Sequence, residues 1–187
     1  MSLAKSYKKN IVCLESFWDH DIENRLTVAP ILELLSRRNG IKFTLLTSNT
    51  REELEYNLNL IKKRKGYGIL YLAFHGKPGK IILNGSWVDI ETMAGLMGKG
   101  FANWIVFFGS CSTIDIKKDR IFNFMESTGI LMVMGYDRYI DWLAGTATDL
   151  LILDTLQFYR DMRKFWSFCR KNYRGMTEII GLRVFHR

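Results

Sequence analysis

The sequence predicts an α/β fold, a three-layer sandwich whose mostly parallel sheet is flanked by helices. Three observations predict it. Short apolar runs alternate with amphipathic stretches along the chain. The runs are apolar throughout, as strands are when helices cover both faces of a sheet. Glycines and capping residues fall at the joints between runs and stretches.

Taken in order, Asn10–Glu15 reads as the first strand and Thr27–Arg38 as a helix with Leu and Ile at helical spacing, stopped by Asn39-Gly40. Ile41–Leu46 is the second strand. Thr50-Arg-Glu-Glu53 is a capping box, opening a helix to about Lys65 with Leu54, Leu58 and Ile61 on one face. After Gly66-Tyr-Gly68 comes the third strand, Ile69–Phe74. A hairpin follows, Lys80–Leu83 with Ser86–Val88 around Asn84-Gly85. Asp89 caps a helix to about Met97, and Gly98-Lys-Gly100 ends it. The fourth strand is Trp104–Phe108, Asp115–Glu126 is helical, and the fifth strand is Ile130–Met134. Asp141–Arg163 shows one long helical pattern, and Leu182–Phe185, after breaks at Gly175 and Gly181, closes the chain as a short strand.

A chain of 187 residues without repeats or a linker reads as one domain, 1–187. Hydrophobic residues at 48% and charged residues at 25% are ordinary for a globular protein. No apolar run reaches the roughly 18 residues of a membrane span, and Met1–Asn10 lacks the apolar centre of a secretory signal. Cys13, Cys111 and Cys169 form an odd, sparse set without CxxC, which argues against disulfides and zinc. A reducing cytoplasm is the expected location, with no metal and no cofactor. His20 between Asp19 and Asp21 is a weak metal motif; the same loop reads better as a border of a substrate cleft.

The net charge of +8 is partly local, in Lys62–Lys65 and in six basic residues from Arg160 to Arg174 among Phe165, Trp166, Phe168 and Tyr173. Such charge suits nucleic acid, an acidic partner or a membrane surface. Helix ends tolerate cations for reasons of their own dipole, so nucleic acid is disfavoured as the main partner. The aromatic stripes fit a core or a homodimer surface better than a base-stacking platform.

Two strands carry the chemistry. Gly68–Phe74 runs into His75-Gly76, and Trp104–Phe108 runs through Gly109-Ser110 into Cys111. In open α/β sheets, sites lie beyond the carboxyl ends of strands. The interval between His75 and Cys111 holds a hairpin and a helix, as a crossover between parallel neighbours requires. Neighbouring strands lie about 5 Å apart, so the two side chains emerge at one edge. A free thiol titrates near ~8.5, and an adjacent imidazole removes its proton or protonates a leaving amine. The amides of Gly76 and Cys111 are candidates for an oxyanion hole.

An apolar strand ending in His-Gly, followed by one ending in Ala/Ser-Cys, resembles the caspase-like cysteine peptidases. The order His75-Gly76, Ile81–Val88, Thr92–Gly95 and Ser110–Thr113, with Gly129–Gly135, Trp142 and Phe158-Tyr159, is most similar to the bacterial CHAT domains over roughly residues 10–160. That resemblance implies His75 as general base and acid, Cys111 as nucleophile, the Gly76 and Cys111 amides as oxyanion donors, and a protein or peptide substrate. Acidic groups in the pocket for the residue before the scissile bond imply basic substrates; Asp115, Asp137 and Asp141 follow the fourth and fifth strands and are the candidates, though each also suits a helix cap or a solvated loop. The chain lacks an obvious acidic processing loop, which leaves activation and a regulatory protein partner open. A catalytically silent scaffold or adaptor is the alternative. A flavodoxin-like module is disfavoured, because the segment after Glu15 has no glycine loop to approach a phosphate.

Overall fold

The computed structural model describes Tyr7, 9–18, Glu23 and 26–187. The His20 motif and its neighbouring aspartates lie outside the described residues. Among those described, six strands form one sheet: β1 (Asn10–Glu15), β2 (Phe43–Thr47), β3 (Tyr67–Ala73), β7 (Ile105–Phe108), β8 (Met132–Tyr136) and β9 (Leu182–His186), in the order β2-β1-β3-β7-β8-β9. All neighbours run parallel except β9, which is antiparallel to β8. A second, antiparallel sheet joins β4 (His75–Lys77), β5 (Lys80–Leu83) and β6 (Ser86–Asp89).

Alternation along the strands sorts side chains into two cores. Val12, Leu14, Leu70, Leu72, Val106 and Phe108 meet α2 (Arg51–Lys62), α3 (Ile90–Met97) and α4 (Lys118–Thr128) on one face. Ile11, Cys13, Ile69, Tyr71, Phe107 and Tyr136 meet α1 (Ala29–Asn39), α5 (Trp142–Leu156) and α6 (Met162–Asn172) on the other. Each large side chain so buried contributes about 1.5–3 kcal/mol, which explains why these strands read as unbroken apolar runs. The three-layer α/β sandwich follows.

The helix boundaries show what the sequence signals do. Gly40 adopts the left-handed conformation (φ 60°) that closes α1. Thr50 and Glu53 form the reciprocal capping box of α2. Asp89 accepts from the Thr92 N–H at the start of α3.

Two expectations are corrected. The long helical pattern from Asp141 breaks after Leu156 and restarts at Met162. Lys9 fastens the break: its ammonium donates to the Leu156 and Tyr159 carbonyls at 2.8 and 2.6 Å, and its N–H donates to Gln157 Oε1 at 2.6 Å. Asp161 then caps the new helix by accepting from the Arg163 and Lys164 N–H groups. Lys9, a tertiary partner, satisfies the end of α5 and the local Asp161 cap the start of α6, so helical periodicity running through the joint does not hold it straight. Gly175 likewise sits inside α7 (Arg174–Ile179) and is not a break, whereas Gly181 (φ 69°) turns the chain into β9.

Asp161→Ala should lower stability through loss of the α6 cap, read as a lower midpoint in urea unfolding with an unchanged slope. An unchanged midpoint would mean that the Lys9 contacts alone set the break.

Candidate active site

Parallel pairing of β3 with β7 runs from Ile69–Ile105 to Leu72–Phe108. Continuing three residues along each chain leads to His75 and Cys111. Both line one cleft of about 130 Å³ at this edge of the sheet. His75 lies two residues past the end of β3 and is the first residue of β4. The small second sheet therefore carries the imidazole, and β7 leads to the thiol.

Gly76 sets how closely the two segments approach. A Cβ there would lie 2.4 Å from the Cys111 carbonyl, 2.3 Å from Thr113 Oγ1 and 2.9 Å from Ser110 Cβ. Only glycine admits this approach. Two hydrogen bonds hold the cysteine turn to the hairpin, Gly79 N–H to the Thr113 carbonyl at 2.9 Å and Thr113 Oγ1 to the Lys80 carbonyl at 3.2 Å; within the turn the Ser110 and Thr113 hydroxyls lie 2.7 Å apart. Ser112, beside the thiol, has φ 54°, a sparsely populated conformation for a residue with a side chain. Its N–H donates to the Arg138 carbonyl at 3.0 Å, which over-determines the turn.

The imidazole is aimed from the segment after β1. His75 Nε2 lies 2.6 Å from the Trp18 carbonyl, and the two rings meet edge to face at 5.1 Å. A carbonyl accepts only, so Nε2 carries the proton and Nδ1 is the nitrogen left for proton exchange. The thiol lies against the peptide groups of Ile140. The Ile140 N–H donates to Sγ at 3.4 Å, and Sγ–H donates to the Ile140 carbonyl at 3.5 Å. Cys111 N–H makes no hydrogen bond among the described residues.

Of the three acidic candidates, the structure brings only Asp141 to the cleft. There it also caps α5, accepting from the Leu143 and Ala144 N–H groups. Asp115 sits on an exposed turn outside the lining. Asp137 lies outside it too, gripped by Arg138 at 2.9 Å and Arg183 at 2.5 Å. Burial alone would raise the Asp137 carboxyl, but the two arginines outweigh it and hold it below the ordinary range.

A fourth carboxyl, absent from the sequence reading, lies deepest. Asp149, on α5 and 3% exposed, lines the cleft and accepts from Tyr71 Oη at 2.5 Å and from Tyr136 Oη. Burial dominates these hydrogen bonds and pushes its pKa up to about 7. Burial also raises both tyrosines well above their ordinary value, which keeps them donors. Gly109 makes room for the group, since a Cβ there would lie 2.5 Å from the Tyr71 ring and 3.1 Å from Asp149 Oδ2. The available signal was a lone aspartate in an otherwise apolar stretch, Asp149-Leu-Leu-Ile-Leu. Trp18 and Trp142, also in the wall, each bury an indole N–H without a partner among the described residues.

Among the described residues no group of three or more His, Cys, Asp or Glu could hold a metal ion, and no helix is long and apolar enough to cross a membrane. Residues 8–186 match the model of a family described as a family of unknown function (DUF6642), and the chain belongs to that family. No curated protein matches it.

Gly76→Ala should cost about 1–3 kcal/mol and shift the thermal midpoint down, because the added methyl meets backbone. Asp149 supplies a pH signature. A carboxyl whose folded pKa lies above its unfolded value stabilises most below the unfolded value, near ~3.9, and that contribution is lost as pH rises to about 7. The unfolding free energy of the wild type relative to that of Asp149→Asn should therefore fall from pH 4 to pH 7, read from urea curves of both proteins across that range. A difference independent of pH would place the proton elsewhere.

Proposed function

We propose that this member of a family of unknown function is a cysteine hydrolase of the caspase-like kind, cutting peptide bonds through Cys111 and His75 in a reducing cytoplasm. The observation that carries the reading is their convergence on one cleft from neighbouring parallel strands, with the imidazole oriented by the Trp18 carbonyl. A buried structural cysteine would need none of this arrangement, and Cys13 and Cys169 show the contrast. Both are buried in the core; desolvation raises the first thiol well above its ordinary value and pushes the second up to about 12.

In the proposed reaction His75 Nδ1 takes the proton from Sγ, and the sulfur attacks the carbonyl carbon of the scissile bond. The Cys111 N–H, with that of Gly76, donates to the oxyanion. The protonated imidazole then gives its proton to the leaving amine as the C–N bond breaks. Water, deprotonated by the same nitrogen, hydrolyses the thioester and restores the thiol. Trp18 acts as a positioning residue through its carbonyl.

The cleft supports a basic residue before the scissile bond. Asp141 and Asp149 line it, and among the described residues no lysine or arginine does. Aromatic walls from Trp18, Tyr139 and Trp142 suit the methylene stem of such a side chain and attract its cation. The volume of about 130 Å³ accommodates one side chain. Cofactor-sized ligands occupy roughly 300–1,000 Å³, which weighs against a flavodoxin-like role.

The test is labelling with acyloxymethyl ketone peptides bearing Arg, Asp or Leu next to the reactive group, with the adduct mapped by mass spectrometry. The Arg probe should react fastest, and the adduct should fall on Cys111. Cys111→Ala should abolish labelling, and His75→Ala should slow turnover of the matching peptide amide about 10²–10⁴-fold. Equal labelling of all three proteins refutes the dyad. A folded wild type that no probe labels favours the silent scaffold.

A further inference from the structure

A second concavity lies at the β9 edge of the sheet. It is a groove of about 1060 Å³ floored by β9 and walled by α4 on one side and by α6 and α7 on the other. Its cations are Lys118, Arg138, Arg170, Lys171, Arg174 and Arg183, against one acid, Glu178. Arg174 pairs with Glu178, and Arg138 and Arg183 share Asp137. Lys118, Arg170 and Lys171 have no carboxylate partner among the described residues. Apolar surface is present in both walls, from Trp166 and from Phe122, which meets Phe185 of the floor edge to face at 6.0 Å.

The register shows which backbone groups of β9 face the groove. Arg187 N–H donates to the Leu131 carbonyl, and Asp137 N–H donates to that of Gly181. In an antiparallel ladder, hydrogen-bonded pairs alternate with non-bonded ones. Pairs 131–187 and 137–181 therefore fix 133–185 and 135–183 as the bonded pairs between them. The N–H and C=O groups of Leu182, Val184 and His186 point away from β8, and no backbone group among the described residues takes them. They form an open strand edge about 17 Å long inside a cationic groove.

We propose that an extended acidic segment of a partner protein docks here as a seventh strand, paired with the outward groups of Leu182, Val184 and His186. Charge complementarity selects the occupant. A second copy of the chain would set Arg170, Arg174 and Arg183 against their own equivalents, and like charges across a strand pair are destabilising. Nucleic acid would use the cations but leave the strand edge unpaired, whereas an acidic peptide uses both. The site is separate from the cleft, and the proposal stands or falls independently of the peptidase reading.

The test uses the full chain and fluorescence anisotropy with a labelled Glu-Val repeat peptide. Its controls are the same peptide N-methylated at alternate residues, a duplex DNA, and sedimentation of the protein alone. The plain peptide should bind, and raising salt should weaken it. Arg170→Glu with Arg174→Glu should weaken it about tenfold or more. Val184→Pro removes an outward N–H while sparing the β8 ladder, a position an edge strand tolerates, and should weaken it by a similar factor. The N-methylated peptide should bind as poorly to wild type, which asks the same question without altering the protein. Failure of the plain peptide to bind overturns the proposal. So does equal binding of the methylated peptide or of DNA, which would mean that the groove reads charge alone. A dimer of the free protein that Val184→Pro dissociates would assign the edge to a second copy.

Discussion

Side-by-side parallel pairing of β3 and β7 is the constraint on which the rest of this structure depends. It fixes two strand ends a few ångströms apart, and everything with chemical character is arranged around that gap. The pairing alone would deliver His75 and Cys111 only to the same neighbourhood. The missing side chain at Gly76 brings the segments into contact, and the Ser110–Thr113 turn is tied to the β4–β5 hairpin by hydrogen bonds that a looser approach would break. Unconventional backbone at Ser112 is tolerated because its neighbours leave it no alternative.

At the floor of the cleft, two opposing effects meet on Asp149. Hydrogen bonds from Tyr71 and Tyr136 favour the ionised carboxylate, and burial disfavours it. Burial wins, so the group changes charge near neutrality. Asp137 shows the reverse outcome: two guanidinium groups overcome its desolvation. Asp137 follows an apolar stretch in the sequence and Asp149 opens one, and only the partners brought by the fold separate their behaviour.

Much of this was legible in the sequence, for identifiable reasons. Strand order along the chain, the Thr50 capping box, the Gly40 stop and the Asn84-Gly85 hairpin are local signals, and they formed as local physics dictates. The placement of His75 and Cys111 at one edge followed from runs apolar enough to need burial on both faces. What stayed hidden was non-local. The group that orients His75 is the Trp18 carbonyl, and a backbone carbonyl has no signature in a sequence. The break between α5 and α6 depends on Lys9, about 150 residues away in the chain. Asp149 looked like any polar residue on a helix until Gly109 made room for it. β4, only three residues long, is too short for a periodic pattern to reveal.

The connection between β8 and α5 has a consequence for how variants of this protein must be interpreted. Within it, Arg138 lines the β9 groove and Asp137 pairs with two of that groove's arginines, Tyr139 and Asp141 line the cleft, and Ile140 holds the Cys111 sulfur. The Arg138 carbonyl also receives the N–H of Ser112, next to the thiol. One short segment thus answers to two surfaces at once, and it has few residues free to change for one without altering the other. A substitution here carries no address. Loss of one behaviour cannot be credited to the nearer surface until the other has been measured in the same variant, and any natural variation in this segment is expected to be paired rather than single.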